Sequence, residues 1–376
     1  MSVPRPASTA RPWVRCARLA RHLVWGAGAF SIGMLVASCA GPRVAPARTD
    51  APAIDLGDVP FVISREAWSF AGKEGVVLIT PTHRIHTTIM RGSLADRLPV
   101  FLSAASAAHR TLLGELPPPR QALEVYVLAD RDQWASLSRS MLGSRANTYL
   151  QIDRGGFSID GKALLFDIGT YDTLSIAAHE GWHQYVQTTF RDPLPSWLDE
   201  GVGTWFEGFR WRGARGQSPD DGSRPDFRPW ANPERYGRIV HSQRRDRLMS
   251  LEEVTNSRPQ DLIPEGGDAV LTWYAQSWAL IHFLREGEGG RYRDGLERAL
   301  KAAADGTLYD EVRRVRGSRE ASLAERHRRG TAILQTFIDE DVARLSDEYA
   351  AWLAQIASAR RYDLIMSGRS PIETPE

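Results

Sequence analysis

Two histidines four residues apart, His179 and His183, flank a glutamate in the run His179-Glu180-Gly181-Trp182-His183. On an α-helix this spacing puts both imidazoles on one face, one turn apart, so both can bind one ion. Glu180 stands beside the first of them. There it can accept a proton from a metal-activated water and pass it to a leaving group. Zinc suits such a site because it lowers the pKa of water to about 7 and polarises a carbonyl. The chemistry indicated is metal-assisted hydrolysis. By itself the H-E-x-x-H pattern is a modest signal, since a His pair on a partly exposed helix can carry an incidental Glu.

A catalytic zinc needs a third protein ligand and an open position. The chain offers Glu200. Pro193 and Pro195 force a turn after the first helix, and a second helix begins at Ser196-Trp197-Leu198-Asp199. Its apolar stripe is Leu198, Val202, Trp205, Phe206 and Phe209. Ser196 fits an N-cap with Asp199 as its capping-box partner, which leaves Glu200 free. In an antiparallel hairpin Glu200 and His183 lie at similar depths, from the rise of about 1.5 Å per residue. Glu207, two turns on, is the competitor and reads as a supporting or solvent-facing residue. Around the histidines, Leu174, Ala178, Trp182, Tyr185 and Val186 form the stripe that packs, turned about 100° from the ligand face.

The elements upstream must position this hairpin. Val76–Ile79, Ile85–Ile89 and Leu123–Leu128 read as strands, and Leu94–Leu116 as a helix ending at Pro117-Pro118-Pro119. Asp130 starts another helix. Residues 151–168 hold two short strands around Asp160-Gly161. Beyond Asp172 the pattern is mainly helical, with 211–233 read as a Gly-, Pro- and Arg-rich loop. Strands and helices first, then mostly helices, predict an α+β fold rather than alternating β/α units.

His179 to His183 followed by Trp197-Leu198-Asp199-Glu200-Gly201 resembles the gluzincins, zinc peptidases with two His and one Glu as ligands. The later Tyr274-Ala275-Gln276-Ser277-Trp278 strengthens a likeness to peptidase-like bacterial proteins carrying the same three segments. The likeness covers residues 76 to 285. It implies a zincin-like architecture: a small mixed sheet over an active-site helix, with a mainly helical C-terminal lobe. It also implies zinc held by His179, His183 and Glu200, with Glu180 as general base. Peptide or protein would be the substrate, bound along a sheet edge for which residues 156–168 are the candidate. Tyr274 is the candidate donor to an oxyanion; its alternative is ordinary packing with Trp278, Ile281 and Leu284. His241 and His282 are weaker candidates for that role. The thermolysin-like members carry an Asp four residues after the Glu ligand to orient a metal-bound His. Position 204 here is Thr, so that support must come from elsewhere.

The glycines beside the motif read as close-approach positions: Gly181 for the sheet, substrate or another helix, and Gly201 and Gly203 for the two ligand helices. His83 and His86 read as surface residues. Trp197, Trp205, Trp211, Trp230 and Trp273 make an aromatic-rich region, in which Trp211 and Trp230 are candidates to line a substrate site.

The N-terminus carries Arg5, Arg11, Arg15, Arg18 and Arg21, no acidic residue before Asp50, and an apolar run from Leu23 to Val36. That run suits a secretory signal and is short of the roughly 20 residues needed to cross a membrane. It ends in Val36-Ala37-Ser38-Cys39, which resembles the bacterial lipobox. The resemblance implies cleavage after residue 38, lipid on Cys39 and an extracytoplasmic membrane anchor, with the outer membrane favoured where the cell has one. Residues 39–60 are Pro- and Ala-rich and read as a flexible tether. The rest divides into an α/β lobe (61–170) and a mainly helical lobe (171–376) of one zincin-like domain.

The full chain has 47 basic and 46 acidic residues. Loss of the signal removes five Arg and leaves four more acidic than basic residues, so there is no electrostatic case for nucleic acid. The two cysteines, Cys16 and Cys39, go to the signal and to lipid, so a metal must be held by His and carboxylates. Two other readings stand beside the peptidase: a non-catalytic zincin-fold surface or assembly lipoprotein, and a zinc hydrolase of a non-protein amide or ester. Oligomeric state has no sequence signature here.

Overall fold

The computed structural model describes residues 62–212 and 224–372. The signal segment, Cys39 and the tether lie outside the described residues.

The first half builds a six-stranded sheet. Its strands are β1 (Ser64–Phe70), β2 (Lys73–Ile79), β3 (His83–Thr87), β4 (Leu123–Leu128), β5 (Gly156–Ile159) and β6 (Lys162–Phe166). The spatial order is β1-β2-β3-β4-β6-β5. β1, β2 and β3 pair antiparallel, β3, β4 and β6 parallel, and β5 antiparallel to β6. The fold is therefore α+β with a small mixed sheet. The β5–β6 turn has both residues in the left-handed region, Asp160 at φ 51° and Gly161 at φ 72°. Such a turn matches the twist of a tight hairpin, and Gly and Asp adopt it at least cost.

Interleaved with the strands are α1 (Ser93–Thr111), α2 (Arg131–Leu142) and the short α3 (Ala146–Tyr149). Asp130 caps α2 as expected, accepting from the Gln133 amide. Helix α1 stops at Thr111, five residues short of the predicted end. Gly114 has φ 97° there, which a continuing helix excludes.

Alternation in the central strands sends side chains to two cores. Val125, Val127, Ala163 and Leu165 join the main core with α1 and the helices that follow. Tyr126, Leu128, Leu164 and Phe166 pack against Trp134 of α2. His83 and His86 are corrected by this arrangement. His83 is 2 % exposed, with Nδ1 2.8 Å from Thr82 Oγ1. His86 stacks on Tyr126. Both lie inside β3, where alternate side chains face packed layers.

The second half begins with α4 (Thr170–Thr189) and α5 (Ser196–Phe206). A two-stranded ribbon follows, β7 (Phe209–Arg212) with β8 (Arg224–Phe227), where the sequence predicted a loop over 211–233. Residues 213–223 lie outside the description. Then come α6 (Pro233–Arg244), α7 (Leu251–Asn256), α8 (Pro259–Leu262), α9 (Gly267–Glu286), α10 (Arg293–Asp305), α11 (Leu308–Arg316), α12 (Ser318–His327), α13 (Val342–Ile356) and α14 (Tyr362–Ser367). One apolar core runs from Ile85 and Val125 in the sheet through Trp182 and Trp278 to Leu296. Among the described residues no helix is long and apolar enough to cross a membrane.

Candidate metal centre

Helix α4 buries Leu174, Ala178, Trp182, Tyr185 and Val186, the stripe the sequence marks. Its neighbouring face turns His179 and His183 toward α5. Gly203 of α5 makes room for them: a Cβ there would stand 3.2 Å from the His179 ring. On its other side α5 lies against α9, where a Cβ at Gly201 would meet the Ser277 carbonyl oxygen at 2.8 Å. Gly181 serves the approach of α1, whose His109 ring would lie 3.3 Å from an added Cβ. Helix α5 is thus held tightly between α4 and α9, which fixes the depth of Glu200.

The three expected ligands converge. His179 Nε2 and His183 Nε2 are 3.1 Å apart, and Glu200 Oε2 is 3.3 Å from each. Three ligands at ordinary zinc distances in a tetrahedron stand roughly 3.3 Å from one another. The spacing therefore fits three corners of a tetrahedron with the fourth left open. His179, His183 and Glu200 form the group among the described residues that could hold a metal ion.

Each imidazole is held by its other nitrogen. Asp199 Oδ1 lies 3.0 Å from His183 Nδ1, and Arg328 Nη2 donates to Asp199 Oδ2 at 2.8 Å. The capping-box role predicted for Asp199 is overturned. Helix α5 starts one residue early, with Pro195 at the N-cap and the Ser196 amide donating to the Arg328 carbonyl. That rotation frees Asp199 for His183. Glu207 Oε1 lies 3.0 Å from His179 Nδ1. Its carboxylate also accepts from Asn232 Nδ2 at 2.8 Å, Arg235 Nη2 at 2.8 Å and Arg235 Nε at 3.1 Å. Glu207 is 4 % exposed, so it supports the site and does not face solvent. Thr204 spends its hydroxyl on carbonyls of its own helix. The support expected from elsewhere thus comes from Asp199 and Glu207.

These contacts set the charges. Burial disfavours the His179 imidazolium, but Glu200 and Glu207 outweigh it and raise its pKa to about 9. His183 is likewise raised well above its ordinary value, against burial, by Asp199 and Glu200. Burial works to raise the Glu200 carboxyl, yet the two imidazoles hold it well below the usual range. Glu180 is shifted the other way: burial raises its pKa, opposed by His179 and His183. A carboxyl poised upward beside the ligands suits proton transfer.

Tyr274 is half-buried on α9 with its ring beside the Arg235 guanidinium, 5.5 Å from the centroid. Burial and then the Glu200 charge push its hydroxyl pKa well up, so it stays a neutral donor. His282 is not with it: it is fully buried, with its ring 3.7 Å from that of Trp230. His241 lies on α6 and lines a separate surface cavity. Trp230 is buried against His282, and Trp211 packs near Phe101 with Arg97 over its ring, so packing accounts for both. Of the predicted sheet edge, only β5 lies at the margin. β6 sits between β4 and β5. β5 runs beside the motif helix, and Ser158 Oγ donates to the Glu180 carbonyl at 2.6 Å.

Arg235, Asn232 and Arg328 escape sequence reasoning, because they reach the site from the start of α6 and from just past the end of α12, far along the chain. No protein-family model matches this chain, and no curated protein matches it by sequence.

Proposed function

We propose that this chain is a zinc-dependent hydrolase of the gluzincin type, acting on peptide. The observation that carries the reading is the convergence of His179, His183 and Glu200 at tetrahedral spacing, with Glu180 alongside. His179, His183 and Glu200 would hold the zinc ion, which would supply the Lewis acidity that acidifies a water and polarises a carbonyl. Glu180 takes the proton from the attacking water and delivers it to the leaving amine. Tyr274 donates to the oxygen that gains charge. β5 offers an unpaired edge along which an extended substrate can lie. A zincin-like architecture, with the sheet over α4 and a helical lobe beyond, belongs to this reading. So does the lipid on Cys39, which would anchor the enzyme to a bacterial membrane on its extracytoplasmic side.

The test is metal content followed by cleavage. The purified chain supplied with zinc should carry about one ion per molecule. His183→Ala and Glu200→Ala should lose it, while Glu180→Gln keeps it and loses peptide cleavage. A folded wild type that takes up no zinc sinks the reading.

A further inference from the structure

A cavity of about 150 Å³ opens one helical turn before His179, between the first half of α4 and the start of α6. Ser175 and Ile176 on its wall stand one helical turn before His179 and Glu180, about 5–6 Å along the axis. Glu207, the carboxylate behind His179, lies on its floor. A substrate engaging the triad would present an adjacent side chain to this cavity.

The walls combine two chemistries. Ile168, Tyr171, Ile176 and Pro233 give an apolar shaft, and Asp172, Glu207 and Glu234 give carboxylates. Two of those carboxylates are already neutralised. Asp172 pairs with Arg154 at 3.0 Å and Glu207 with Arg235 at 2.8 Å. Glu234 stands at the solvent-facing rim and has no ion pair or hydrogen bond among the described residues. An apolar shaft ending at a carboxylate with no ion pair or hydrogen bond of its own matches a long aliphatic side chain with a cationic head.

Resting on the hydrolase reading above, we infer that this cavity is a specificity subsite for a lysine- or arginine-like residue next to the scissile bond, with Glu234 as its selecting charge. The stem lies along Ile176 and Tyr171, and the cation meets Glu234.

Binding tests this without requiring turnover. Partial burial raises the Glu234 carboxyl pKa to about 7, Arg235 and Arg238 opposing and Glu207 and Asp172 reinforcing, so the measurement is made at pH 8. Fluorescein-labelled peptides differing only in one Lys, norleucine or Glu are titrated onto the zinc-supplied full chain carrying Glu180→Gln. The Lys peptide should bind about tenfold tighter than its norleucine twin. Adding Glu234→Gln should bring the pair within about twofold, and Glu234→Lys should favour the Glu peptide. Equal binding of the Lys and norleucine peptides, no binding by any peptide, or a preference indifferent to Glu234→Gln overturns the subsite. Charge-selective binding with no cleavage by the wild type would remove the hydrolase reading and leave the subsite standing. Cleavage without charge preference would do the reverse.

Discussion

Glu207 Oε1 lies 3.0 Å from His179 Nδ1, and the same carboxylate takes three hydrogen bonds from Asn232 and Arg235. A candidate ligand imidazole is thereby tied, through one buried carboxylate, to the first turn of α6. Glu207→Gln should lower zinc affinity about 10–100-fold while the fold persists, since it keeps the shape and loses the charge that orients the ring. Competition against a chromophoric chelator reads this directly. Glu207→Ala should cost about 3–5 kcal/mol of stability besides, because it takes away the buried carboxylate that Arg235, only 7 % exposed, grips. If Glu207→Gln binds zinc like the wild type, the support role is wrong.

Metal uptake should release protons. Carboxylate partners raise the pKa of both His179 and His183, which favours bound protons on the pair in the metal-free chain. A metal bound at both Nε2 atoms must displace the protons held there, so apparent zinc affinity should rise with pH near neutrality, with at least one proton released per ion. The stability sign follows for His179. A raised imidazole pKa stabilises fully below about 6.5, and that gain fades as pH climbs toward 9. Calorimetry in buffers of different ionisation enthalpy counts the protons; fewer than one released would contradict the pairing described.

Gly201→Ala should destabilise the protein by about 1–3 kcal/mol, because the added methyl meets backbone that cannot swing aside. The obstacle is the Ser277 carbonyl oxygen at 2.8 Å. Urea unfolding measures the loss. An unchanged midpoint would mean that α5 and α9 are less tightly apposed than described.

Tyr274→Phe should reduce kcat about 10²–10³-fold with KM and zinc content nearly unchanged, the pattern of a donor used only in the transition state. If the loss fell on KM alone, Tyr274 would be a packing residue of the cleft.

Glu234→Gln should raise the melting temperature at pH 8 and leave it unchanged at pH 4. A carboxyl raised from 4.5 to about 7 costs stability once pH exceeds its unfolded value, in full above about 7, and the amide removes that cost. Thermal melts at the two pH values decide it. Equal melting at pH 8 would mean that Glu234 is freely solvated.

Much of the site is legible in the sequence because it is local. The spacing of His179 and His183 fixes a shared helical face, and the prolines at 193 and 195 fix a turn that returns Glu200 to similar depth. The α+β order follows from period-two runs giving way to helical ones, and Asp130 declares the start of α2. Local pattern misleads where a residue has two possible partners. Asp199 suits a capping box by spacing, but a one-residue shift of the helix start hands it to His183. His83 sits near a turn, yet strand alternation buries it. Trp230 stands in a Gly- and Pro-rich stretch that reads as loop, but stacks on His282 from α9.

The sequence by itself determined which groups have the type and spacing that a metal site and a proton acceptor would need, since residue type and helical period suffice for that. Only the tertiary structure decided what holds them and what surrounds them. Arg235 and Arg328 reach the site from 28 and 129 residues away from the carboxylates they grip. The cavity at Glu234 forms where α4 meets α6. Such partnerships depend on how helices pack, and no local periodicity encodes which distant side chain will arrive beside a given carboxylate.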